Sequence, residues 1–123
     1  MPCYFGFDNV FEKPGVVTAS NEADGYPKEN GYDWLLFDFW QPGATGDQTL
    51  EINLNTPQVC NYLAIAGHNL GDTVGSGVTA SYSDDGVAWT EHISGVTIQS
   101  DSQVAMLVVA DSPVAKYWRI TLT

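Results

Sequence analysis

Basic side chains are scarce in this sequence: four lysines and arginines stand against fifteen acids among 123 residues, a formal net charge of −11. Such a field repels phosphate, which argues against nucleic acid and anionic membrane as partners and favours cations or a basic face on another protein. Charges of both signs make up only 15% of the chain, against about 25% in ordinary globular domains. Cysteine is nearly missing too. Cys3 and Cys60 lie far apart without CxxC spacing, so they allow at most one disulfide. The opening "MPCYFGFDNV" lacks the basic and apolar regions of a secretory signal, so synthesis in a reducing cytoplasm and two free thiols are expected. No run reaches the roughly 18 apolar residues of a membrane helix.

Catalytic signatures are equally wanting. There is no phosphate-cradling glycine loop, no GxSxG elbow and no HExxH. Two scattered histidines and two scattered cysteines do not compose a zinc site. The sequence is therefore expected to be no enzyme and to hold no metal or cofactor.

What is present is strand patterning. "TLEINLN" (49–55) alternates Leu50, Ile52 and Leu54 with Glu51, Asn53 and Asn55, as a half-buried strand does. "NYLAIAGHN" (61–69), "GVTASYS" (77–83) and "KYWRITLT" (116–123) show the same period, and "QVAMLVVA" (103–110) is almost continuously apolar, as in a strand covered on both sides. No window of about 11 residues carries a helical stripe. Frequent Gly, Pro, Asn, Asp and Ser divide the chain into short strands, the mark of a sandwich or barrel. One all-β domain is expected, with polar loops at 20–31 and 41–47.

In "YSDDGVAWTE" (82–91), Asp84, Asp85 and Gly86 separate two strand-like runs. Asp-Gly supplies the positive φ of tight hairpins, whereas a calcium loop requires acids at alternating positions and a distal Glu. The stretch reads as a turn built on Asp85 and Gly86.

The aromatic run "YDWLLFDFW" (32–40) places Trp34, Asp38 and Trp40 on one face if it is extended. Exposed, they suit a sugar ring or a protein interface; covered by the 20–31 loop, they simply fill core. Tyr26 and Tyr32 flank them. His68 and Asn69, in "AGHNLGD", have a reading as general base or sugar ligand, but no supporting constellation accompanies them, and a strand-end histidine bonded to backbone is favoured. His92, beside Glu91, reads as a surface histidine. Trp89 and Trp118 follow the apolar alternation and are expected in the core. Arg119, the only arginine, is expected to anchor the structure by bridging to a carboxylate such as Asp38 or Glu51.

Four segments in order, "VTASNEADGYPKENG", "TLEINLNTPQVCNYLAIAGHNL", "SYSDDGVAWT" and "AKYWRITLT", resemble the discoidin-type, galactose-binding-like jelly-roll family over about residues 17 to 123. The resemblance implies a jelly-roll β-sandwich over 16–123; the aromatic-rich 1–15, outside that match, reads as a first strand or an arm reaching a neighbour. "GHNL" is similar to structural proteins of tailed bacteriophages. The sequence departs from the sugar-binding members where Asn30-Gly31-Tyr32-Asp33-Trp34 lacks their Thr, and Thr123 ends the chain without an acidic ligand, so no calcium site is carried over. Lys13, Lys28, Lys116 and Arg119 are too few for the lipid-binding members' basic surface. From the resemblance we expect a non-enzymatic structural or attachment protein of a virion, homo-oligomeric, docking other virion proteins through loops 20–34 and 41–48. The alternative is a carbohydrate-binding module for galactose-type glycans, including those of cell surfaces.

Overall fold

The computed structural model describes residues 9–32, 40–65, 77–96, 105–108 and 111–123. Their regular structure is β: β1 (Gly15–Ala19), β2 (Gln48–Val59), β3 (Tyr62–Ile65), β4 (Val78–Ser83), β5 (Thr90–Val96), β6 (Ala105–Val108) and β7 (Val114–Leu122). Two short 3-10 turns, Val10–Glu12 and Lys28–Gly31, accompany them. Five strands form one antiparallel sheet in the order β1-β2-β7-β4-β5, and β3 pairs with β6.

The alternation in β2 sets the inner face. Leu50, Ile52 and Leu54 are buried while Thr49, Glu51 and Asn53 between them are half-buried. Ile52 stands opposite Val17 on one side and Trp118 on the other, tying three strands to one point. Val10, Ile52, Leu54, Ala115 and Trp118 form one core cluster. Each large apolar side chain of this kind gives up about 1.5–3 kcal/mol of unfavourable hydration on burial. The second cluster joins Leu63 and Ile65 of β3 to Val78, Ala80, Ile93, Ile120 and Leu122 of the larger sheet. That contact lays the smaller sheet on the larger one and makes a sandwich.

Several details depart from the sequence reading. β1 and β5 are strands that the alternation did not reveal. In β5 the reason is two register shifts against β4, which break the period of two. One consequence is that His92 turns inward. Its ring lies 5.8 Å from both Tyr82 and Trp118, and Nε2 sits 3.1 Å from the Cys60 carbonyl oxygen, so it is not the surface histidine expected. Cys60 is a free thiol, donating to the Tyr62 carbonyl, and burial pushes its pKa up. Trp118 is core as expected, 3% exposed, with Nε1 donating to the carbonyls of Gln58 and Ala115.

Truncating Ile52 leaves a cavity under three strands, so Ile52→Ala should cost about 2–5 kcal/mol in urea unfolding. Val16→Ala, at a site 64% exposed on the edge strand, should stay within about 0.5 kcal/mol of the parent. Equal losses would contradict this assignment of the inner face.

Candidate functional site

β1 ends at Ala19, opposite Leu50, and β7 ends at Leu122, opposite both Gln48 and Val78. The segment joining β1 to β2 therefore leaves the sandwich where β2 and β4 begin. Gln48 closes this end. It is only 6% exposed, and a buried carboxamide must find partners for its oxygen and both N–H bonds. Its Oε1 accepts from Ser20 Oγ at 2.7 Å and from Asn21 Nδ2, while Nε2 donates to the carbonyls of Thr45 and Gly46, each at 3.3 Å. Asn21 Oδ1 in turn accepts from Gly43 N. One side chain thus pins both ends of the long connection.

On that foundation a hydrogen-bonded turn presents Tyr26. Its N–H donates to the Ala23 carbonyl at 3.0 Å, with Gly25 at φ 83° in the left-handed region. Ala23 N donates to Gln41 O at 2.8 Å, and Gln41 N returns to Tyr26 O at 3.4 Å, so the turn is bound to the far side of the connection. Glu22 Oε2 accepts from Lys28 N at 2.8 Å and closes the base of the turn. Lys28 Nζ lies 2.9 Å from Glu29 Oε1 and 3.8 Å from Glu22 Oε1. The bond to Glu29 raises the lysine pKa, and the same bond lowers that of Glu29. Tyr26 is 38% exposed at the tip.

Trp40 and Tyr32 support this arrangement from beneath. Trp40 is half-buried, and its indole N–H donates to Asn21 O at 3.1 Å. Gly31 lies against it so closely that a Cβ there would come within 3.1 Å of the Trp40 Cβ. Tyr32 is half-buried with its ring 6.1 Å from Phe11, and burial followed by the nearby Glu29 charge raises its pKa. Tyr26, Tyr32 and Trp40 therefore gather at one end of the sandwich. Trp34, Asp38, His68, Asn69, Cys3 and the first eight residues lie outside the described residues. Glu22 and Gln48 were not singled out in the sequence, and Lys28 was named only among the few bases; Asp24-Gly25, the same signature as Asp85-Gly86, is the signal that would have marked the turn within the polar loop 20–31.

At the opposite end, Asp85 and Gly86 form the expected turn. Asp85 Oδ1 accepts from Val87 N at 2.8 Å, Ala88 N at 2.9 Å and Ser83 Oγ at 3.0 Å, and these donors hold its carboxyl below the ordinary 3.8. Gly86, at φ 77°, suits glycine, and a Cβ there would crowd the Tyr117 ring at 3.0 Å. A shallow open depression of about 250 Å³ beside the turn is lined by Tyr82, Ser83, Asp84, Asp85, Ala88 and Thr90. Among the described residues no group of three or more His, Cys, Asp or Glu is placed to hold a metal ion.

Two expectations fail here. Trp89 is half-buried rather than core, because the turn carries it over the outer face of the sheet, edge-on to Tyr117 at 6.4 Å. The Arg119 guanidinium carbon lies over the Trp89 ring, 3.9 Å from its centre. Glu51 is its register partner on β2, yet among the described residues they close no salt bridge, and Arg119 Nε is buried without a hydrogen-bond partner. Among the described residues, the Trp89 ring is what the guanidinium lies against; Asp38, the other carboxylate expected, lies outside them.

No family model and no curated protein matches this sequence. Solved structures do. The family 32 carbohydrate-binding module of AlyQ, in complex with 4,5-unsaturated mannuronic acid, matches at 28% identity and TM-score 0.70 over 97% of this chain and 85% of its own. A truncated AlyQ with that module and its alginate lyase domain matches at 30% identity and TM-score 0.68 over 87% of this chain, which spans only 27% of the larger protein. The family 32 module of C. perfringens NanJ, in complex with galactose, shares the fold at 17% identity and TM-score 0.70, over 88% of this chain and 81% of that one. The chain is an all-β, galactose-binding-like jelly-roll sandwich. These likenesses overturn the expectation of a virion structural protein acting through protein contacts: the matched chains are, or contain, carbohydrate-binding modules, which favours the sugar-binding alternative. The "GHNL" behind that expectation lies outside the described residues, and a fold does not choose the partner.

Gln48→Leu keeps the volume but strands four hydrogen-bonding groups; it should cost about 1–3 kcal/mol and speed amide exchange in 20–23 and 43–46 ahead of β2. Asp85 has a folded pKa below its unfolded one, so its stabilisation is present above the ordinary 3.8 and is lost as pH falls through the lower folded value. The Tm gap between the parent and Asp85→Asn should be open at neutral pH and close in acid, once the pH has fallen through that lower value. A gap that widens in acid would reverse the sign.

Proposed function

We propose that this chain is a carbohydrate-binding module that holds a glycan at the Tyr26 end of the sandwich and does no chemistry on it. The observation that carries this reading is the match, near full length on both sides, to a module solved with a sugar bound. Local geometry supports it. A sugar ring presents an apolar C–H face and a rim of hydroxyls, so its receptor combines an aromatic surface with fixed polar groups. Tyr26 supplies the surface on a turn whose backbone is already bonded on both sides. Glu22, Lys28 and Glu29 supply acceptors and a donor around its base. Because the turn is pre-organised, ordering it on binding costs little. Binding without catalysis accords with His92, the one histidine among the described residues, being committed to the Cys60 carbonyl and two aromatic rings.

Isothermal titration against a panel of neutral and acidic mono- and oligosaccharides tests the reading. Saturable binding is expected, and Tyr26→Ala should weaken it about tenfold, or ~1.4 kcal/mol, with Tm unchanged. No binding by the folded parent to any sugar in the panel would end the proposal.

A further inference from the structure

We infer that this site takes neutral sugars and turns away uronic acids, because Glu22 and Glu29 have already claimed its lysine. The inference rests on the glycan-binding reading above. Between positions 20 and 48 the sequence holds six acids, Glu22, Asp24, Glu29, Asp33, Asp38 and Asp47, and a single base, Lys28. A carboxylate on an incoming sugar would need that ammonium.

The ammonium is already paired. Lys28 Nζ has Glu29 Oε1 at 2.9 Å and Glu22 Oε1 at 3.8 Å. Glu22 is unable to swing away without loss, since its other oxygen accepts the Lys28 backbone N–H at 2.8 Å and so closes the turn that carries Tyr26. The three side chains together carry one net negative charge. A uronate must either break two ion pairs or lie against surplus carboxylate, and neither is repaid by a second cation within the connection. A hexose hydroxyl meets the opposite situation. It is a donor as well as an acceptor, and carboxylate oxygens are acceptors only, so surplus carboxylate is what a neutral polyol can use. Specificity here comes from a repulsive element built into the site as much as from attraction. The AlyQ module was solved with an unsaturated uronic acid; this chain is expected to differ from it in ligand charge.

Matched sugar pairs that differ only in carrying CH₂OH or carboxylate at C6 provide the test: the methyl glycosides of galactose and galacturonate, glucose and glucuronate, and mannose and mannuronate. The intact chain should prefer the neutral member of whichever pair binds by about tenfold in low salt, and the preference should narrow at high ionic strength. In the double variant Glu22→Gln/Glu29→Gln, the amide oxygen introduced at position 22 can still accept the Lys28 N–H. There the preference should fall below about threefold through gained uronate affinity. Equal or stronger uronate binding by the parent, or an unchanged preference in the folded double variant, overturns the inference and leaves glycan binding intact. Failure of every sugar to bind overturns the glycan-binding reading instead, and this inference with it.

Discussion

A carboxamide at the first position of β2, 6% exposed, would be a liability if its oxygen and N–H bonds were left without partners, since each unmet buried group costs about 1–3 kcal/mol. Gln48 escapes that penalty only when Ser20 and Asn21 approach from one side and the carbonyls of Thr45 and Gly46 from the other. The loops must therefore converge on it. Asn21, once fixed, receives both Gly43 N and the Trp40 indole N–H, the latter on its carbonyl, so the constraint spreads outward from the buried group to the aromatic residues. Tyr26 is held at the end of this chain of obligations. The rigidity of the loop end is inherited from the core strand beneath it rather than from regular structure of its own.

How much of this was legible follows the same division. β2 could be read because its alternation is unbroken from Leu50 to Leu54 and each inward residue is apolar. β5 could not, because two register shifts put His92 on the inner side against the expected period. Trp89 was misread as core for a related reason. Alternation counts along a strand, but Asp85 and Gly86 lift the chain into a turn that lays Trp89 back on the outer face, where it meets Arg119. Arg119 was expected to bridge to a carboxylate such as Asp38 or Glu51; Glu51 closes no salt bridge with it, Asp38 lies outside the described residues, and the contact seen is with the Trp89 ring. Sequence suggests charge complementarity readily and cation–π contact poorly. At the loop end Tyr26, Tyr32 and Trp40 were visible as aromatics, while the Glu22–Lys28 closure was not, since a side chain accepting a backbone N–H six residues away depends on the turn between them.

The acidic composition was legible as a number and misleading as an argument. Taken over the whole surface, −11 suggests a basic protein neighbour. Taken at the scale of the site, carboxylates beside Tyr26 are hydrogen-bond acceptors in fixed positions. Long-range charge acts through a field screened within about 10 Å at 0.1 M salt, whereas recognition of a hydroxyl is decided at about 2.7–2.8 Å. The same acids thus argue for different partners at the two length scales. What separates them is geometry: Glu22 presents one oxygen to the backbone and the other to Lys28, so its oxygens are committed at contact range whatever its charge adds at a distance. Net charge describes the whole chain, and it becomes evidence about a ligand only once each carboxylate has been assigned to what it already holds.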